Sequence, residues 1–319
     1  MTRRGWIILA IIALVTTVAA ASYGWPSAWR AWRAYRLAQL INTPLNDDVL
    51  PTDDALTALR KRARQAERAR DYQRAAELYS EGLENASYDG TVRRDLLRQR
   101  AFAWEELKLH DRAEADYNAA LRIEPLDPKF YSKRGFFYLR LKRYDAALAD
   151  FRKGGELLPA DGGFPFGEGE VYARMGQPDK AVERYTEAMR LYPEVTTYYR
   201  ERGSAYNTLD KFAEAIADYN KALALGYEPF PAPYETAQAY LGRGYAFWRL
   251  GRFQEAIDDF GEVIRLQPKS ARAYAWRGLI YHRLGKPAEA IADYRKALTI
   301  NPSNEIALRE LRTLGVQLP

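Results

Sequence analysis

The chain has two histidines, His110 and His282, and no cysteine. Imidazole is the side chain best suited to proton transfer near neutral pH, and a metal centre needs several donors at ligand spacing. Neither histidine has such a partner. The missing thiol excludes disulfides, thiolate catalysis, cysteine-bound zinc and a lipid-modified cysteine, and it leaves the redox compartment open. Glu105-Glu106 and Asp258-Asp259 are adjacent on helices, so their members point in different directions and read as solvated or paired charges. No glycine-rich nucleotide loop and no nucleophile elbow occurs. The expectation is a non-enzymatic chain without cofactor, metal or small-molecule substrate.

A second set of charged residues recurs in phase. Arg100, Arg134, Arg202, Arg243 and Arg277 are matched further along the chain by Asp116, Asp150, Asp218, Asp259 and Asp293. At one place the signs exchange together, giving Glu168 and Arg184. The exchange selects a partner. A bridge between neighbouring units would set Asp150 against Glu168 and Arg184 against Arg202, both repulsive, whereas pairing within a unit gives Glu168–Arg184. Partly buried ion pairs add little net stability but disfavour wrong registers. The competing reading is that all of these charges are solvated.

The elements that position these charges are set by alanines at 75, 113, 147, 181, 215, 256 and 290. Each is followed four residues later by Tyr79, Tyr117, Phe151, Tyr185, Tyr219, Phe260 or Tyr294. Most of the alanines are 34 residues apart. A fixed period of that size means an array of small units rather than one globular core. The period registers units at 56–89, 94–127, 128–161, 162–195, 196–229, 237–270 and 271–304. Small residues recur at position 8 (Ala63, Ala101, Gly135, Gly169, Gly203, Gly244, Gly278), which lets two antiparallel helices approach closely. Aromatics at 11 and 24 fill the space between them. Pro125, Pro159, Pro193, Pro268 and Pro302 end five units, because proline lacks an N–H and clashes with the preceding turn.

On these positions the chain resembles the tetratricopeptide repeat family over about 250 of its 319 residues. The resemblance implies an all-α, right-handed superhelical solenoid of seven helix-turn-helix repeats. Residues 305–319 are expected to supply a polar capping helix, with Leu308 and Leu311 on one side and Arg309, Glu310 and Arg312 exposed. The charged residues above fall at repeat positions 7 and 23. The resemblance also implies an inner, concave face lined by first-helix positions 2, 5, 6, 9, 12 and 13. Here that face is Phe102, Phe136, Arg140, Phe166, Arg174, Tyr245, Trp248, Arg249, Trp276, His282 and Arg283, with Arg98 and Arg200. Aromatics beside arginines suit a partner peptide or helix, since such residues dominate hot spots. Several of the aromatics have the alternative of packing between repeats. Position 9 carries no Asn, so the family's clamp for a C-terminal carboxylate is not expected.

Outside the array, residues 1–22 read as a signal-anchor or signal peptide, a short N-terminal hydrophobic helix. Arg3 and Arg4 precede the apolar run, and Ala19-Ala20-Ala21 is a triplet of the kind signal peptidase follows. Residues 23–55 read as an amphipathic juxtamembrane segment and linker. Trp25, Trp29 and Trp32 share one helical face among arginines, and Thr52 or Asp53 is a candidate cap for the first array helix. Two irregularities interrupt the array. Gly162 to Gly169 reads as a late helix start with Pro165 in its first turn, or as a hinge. Phe230 to Thr236 is a proline-rich insertion. The net charge of +6 is spread along the chain, unlike the basic stripe of a nucleic-acid binder. The expected function is a protein-binding scaffold or adaptor of a bacterial-type envelope, membrane-anchored with an exported repeat domain. Alternatives are secretion after signal cleavage, an exported spacer or chaperone without a specific ligand, and a regulatory subunit of an envelope enzyme.

Overall fold

The computed structural model describes residues 54–85, 87–226 and 233–317. The expected anchor, the juxtamembrane segment, the caps at Thr52 and Asp53 and residues 230–232 of the insertion lie outside them. Among the described residues there are fifteen helices and no strand. They are α1 (Asp54–Arg68), α2 (Tyr72–Glu84), α3 (Gly90–Glu106), α4 (His110–Ile123), α5 (Pro128–Arg140), α6 (Tyr144–Leu157), α7 (Gly163–Arg174) and α8 (Pro178–Leu191). There follow α9 (Thr196–Thr208), α10 (Phe212–Leu225), α11 (Pro233–Arg249), α12 (Phe253–Leu266), α13 (Ala271–Arg283), α14 (Pro287–Ile300) and α15 (Glu305–Thr313). No helix among them is long and apolar enough to cross a membrane.

The helices form two compact units. One comprises Leu50–Ala222 with Leu241–Asp259, and the other contains Leu223–Tyr240 and Phe260–Pro319. In the first unit each helix packs on its successor from α1 to α9. The aromatics at position 24 are the centre of this packing. Phe151 is fully buried, and a Cβ added at Gly135 or Gly167 would lie 2.9 or 2.5 Å from its ring. One ring is thus held between the first helix of its own repeat and the first helix of the next, which fixes the stacking distance. The glycines of α7 are part of this contact surface. The helix starts at Gly163 with Gly162 as its cap and Pro165 in the first turn, where a missing N–H is harmless.

The turn between the two helices of a repeat always passes through a left-handed residue. Glycine occupies it at Gly176, Gly251 and Gly285, but Arg70, Lys108, Lys142 and Asp210 also adopt φ of 57–62° there. The bond from the Arg143 N–H to the Tyr138 carbonyl closes the helix end around Lys142. In the second unit Ala307 and Leu311 of α15 are buried against Ala290, Tyr294 and Ala297 of α14. Glu310, expected to be exposed, instead turns inward. Its side chain is 13% exposed and meets both His282 and Arg309.

Candidate protein-binding face

The periodic charges bind as follows. In the first unit Arg100 grips Asp116, Arg134 grips Asp150, Arg202 grips Asp218 and Arg243 grips Asp259, each with two parallel bonds of 2.6–2.8 Å. In the second unit Arg277 grips Asp293 in the same way. The aspartates are buried, and the Asp218 carboxylate holds the Arg202 guanidinium above its ordinary basicity. The expected Glu168–Arg184 pair is not formed. Arg184 bonds Glu187 on its own helix at 2.8 Å, and Glu168 lies 3.6 Å from Arg152 of the preceding repeat. Exchanging the charges also exchanges the side-chain lengths, so the long guanidinium no longer springs from the helix whose geometry gave the fork. The five arginine–aspartate forks lock helix pairs together and are not available to a partner.

The residues expected on the inner face divide into three groups. Phe102 on α3 is open, 44% exposed, with only an edge contact to Tyr72 at 6.1 Å. Arg174 is also exposed. A second group is packed away: Phe136 sits edge-on to Phe151 of its own repeat at 4.9 Å, and Phe166 stacks on Tyr198 of the next repeat at 4.9 Å. A third group is engaged in polar contacts. Arg249 covers Phe212 at 4.5 Å, bonds the Tyr245 hydroxyl at 2.7 Å and pairs with Asp210 at 3.1 Å. Tyr245 in turn packs on Trp248, and Arg140 pairs with Glu105. In the second unit Trp276 is half-buried, Arg283 is exposed, and His282 bonds Glu310 at 3.1 Å.

What sequence reasoning missed is a set of acids beneath this face. The hydroxyl of Tyr79 donates to Glu67 at 2.9 Å, Tyr117 donates to the buried Glu105, and Tyr185 donates to Glu170 at 2.6 Å. Tyr219 receives a bond from Asn207. Burial raises each of these phenols, and the adjoining carboxylate raises Tyr79, Tyr117 and Tyr185 further. Burial likewise raises Glu67 and Glu201, the latter against the opposing pull of Arg200. The signal was present in the chain: Tyr at position 24 goes with Glu67, Glu105, Asn207 or His282 at position 12, whereas Phe151 and Phe260 go with Leu139 and Trp248. Repeat 162–195 has Ala173 there and uses Glu170, one turn earlier. In the second unit His282 turns to Glu310 instead.

Comparison with known proteins follows this geometry. Three tetratricopeptide repeat models match, over residues 100–159 and 241–305, 194–269, and 166–194. No curated protein matches the chain. Among solved structures the chain is similar to a tetratricopeptide repeat protein from Parabacteroides merdae. The two share 16% identity and a TM-score of 0.59, over 81% of this chain and 98% of that one. It is similar to PilW, described as a widely conserved type IV pilus biogenesis factor. There the identity is 18% and the TM-score 0.59, over 68% and 98%. It is also similar to YrrB, described as a TPR protein with an unusual peptide-binding site, at 21% identity and TM-score 0.51 over 61% and 97%.

Proposed function

Because the chain belongs to the tetratricopeptide repeat family, we propose that it is a non-enzymatic scaffold that binds a protein or peptide partner on the first-helix face of its repeats. The observation that carries this reading is Phe102. A phenylalanine 44% exposed, where Phe136 and Phe166 of the following repeats are packed away, is an anchor with no covering group among the described residues. The peptide-binding site described for YrrB and the pilus role described for PilW, both on this fold, support the reading. In its finer form the protein is an adaptor of a bacterial-type envelope, tethered through residues 1–22 with the repeats exported. The support for that form is the apolar run behind Arg3 and Arg4 and the tryptophans that follow it.

The test is co-purification from membranes of the full-length protein beside its Phe102→Ala and Trp276→Ala variants, with partners identified by mass spectrometry. A partner held by the native chain and lost from a variant supports the groove-binding scaffold. An identical partner list from all three sinks it. Protease accessibility of the array in intact cells and in opened envelopes tests the export.

A further inference from the structure

The first-helix face of the first unit carries two stripes on neighbouring repeats. Arg98, Phe102 and Glu105 follow at i, i+4 and i+7 along α3, and Lys133, Phe136 and Arg140 at i, i+3 and i+7 along α5. The contact of Arg140 with Glu105 joins the stripes. Glu105 is the only acid of this set, and both its oxygens are engaged, one accepting from Arg140 and the other from the Tyr117 hydroxyl. Arg98, Lys133 and Arg140 therefore gather around Glu105, with Glu67 also in the field of Arg98.

Two of those cations have no hydrogen-bonded partner among the described residues. Arg98 and Lys133 make no hydrogen bond or ion pair among the described residues, and the Nε of Arg98 is buried and unbonded. Lys133 is open to solvent along part of its side chain, yet its ammonium is held below its usual basicity, by burial first and then by Arg98 and Arg140, with Glu105 opposing them. This contrasts with Arg100, Arg134, Arg202 and Arg243 of the same unit, each of which has its own aspartate. Bringing cations together without counter-charge costs free energy in the free protein, and an incoming anion relieves it.

We propose that this strip binds an internal acidic segment of the partner, in which two Asp or Glu side chains flank an apolar residue that rests on Phe102. The inference rests on the scaffold reading given above and adds the chemistry of the ligand. Packed helices lie about 8–10 Å apart, so cations on α3 and α5 suit two carboxylates about three residues apart in an extended chain. A single chain-terminal carboxylate meets one stripe only, and the turn beside Arg98 offers it the ring of Phe102 rather than an amide.

The experiment is selection of random twelve-residue peptides displayed on phage against the full-length protein, followed by affinity measurement on synthetic, N-acetylated and C-amidated winners. The expected result is enrichment of Asp and Glu over the unselected library, with affinity falling about tenfold when the acids are changed to their amides. It also falls several-fold between low and physiological salt. Arg98→Gln with Lys133→Gln removes the enrichment and the tenfold preference, while Arg98→Lys retains most of both. Far-UV circular dichroism shows whether these half-exposed variants keep their helices. Peptides without acidic enrichment, enrichment that survives the double variant, affinity lost on C-terminal amidation, or no selected peptide at all each overturn the inference. So does a single-stranded oligonucleotide that displaces the peptide with equal affinity. The partner capture governed by Phe102 stands or falls separately from all of these.

Discussion

Deleting Asp150 tests whether the periodic charges are structural. Asp150 is 4% exposed, and Arg134 reaches both its oxygens at 2.7 and 2.8 Å while also bonding Asn118 at 2.5 Å. Asp150→Ala leaves a guanidinium whose side chain is only 18% exposed facing an apolar gap. Breaking one partner of a buried pair costs about 3–5 kcal/mol. Because part of Arg134 remains in reach of water, the lower end applies, about 3 kcal/mol. Replacing both members, with Arg134→Met and Asp150→Leu, removes the unmet charge and is expected to fall within about 1 kcal/mol of the native protein. Exchanging them, with Arg134→Glu and Asp150→Arg, recovers less than half of the loss, because the natural exchange at Glu168 and Arg184 does not close. The assay is urea unfolding followed by circular dichroism, with hydrogen exchange on α5 and α6, since in a repeat array the loss is local. Asp150→Ala within about 0.5 kcal/mol of native, the range of a neutral surface change, refutes the reasoning in favour of solvated charges. A double variant as unstable as the single one refutes it in favour of a pair with large net stability.

Three further outcomes are expected. Phe151→Tyr places a phenol beside Leu139 with no acceptor and costs about 1–3 kcal/mol. Adding Leu139→Glu recovers part of this by rebuilding the Tyr117–Glu105 arrangement with Arg174 in the place of Arg140, and no recovery in thermal melts contradicts the pairing of positions 12 and 24. Lys142→Gly relieves a left-handed residue and gains about 0.5–1 kcal/mol, less the flexibility it adds to the unfolded chain; a lowered melting temperature speaks against the turn geometry. Glu201 is raised above its unfolded value by burial, with Glu170 adding to that and Arg200 and Arg174 opposing it. The folded state alone bears the penalty of ionising the group, and that penalty is relieved as pH falls through the folded pKa. Glu201→Gln is therefore expected to melt higher than native at pH 7 and to lose that advantage below about pH 4, under the unfolded glutamate value. A variant less stable at pH 7 would show that Arg200 outweighs burial.

The sequence alone determined the array. Helix lengths, close approach and breakpoints depend on residues local to one repeat, and the 34-residue period repeats them often enough to be read without coordinates. The aspartate–arginine forks were legible for the same reason, since both members recur at fixed positions. Tertiary structure decided what direction and reach control. It turned Arg184 to Glu187, drew Glu310 to His282, engaged Arg249 with Asp210 and Tyr245, and packed Phe136 on Phe151 of its own repeat and Phe166 on Tyr198 of the next while leaving Phe102 open. Repeat position gives the side of the helix from which a side chain starts, but not which of several partners within its length it meets. It was likewise packing that seated Glu105 beneath Tyr117 and Arg140 and left Arg98 and Lys133 without a hydrogen-bonded counter-charge. Whether a charge is spent or free depends on every group around it, and those groups come from two helices and two repeats.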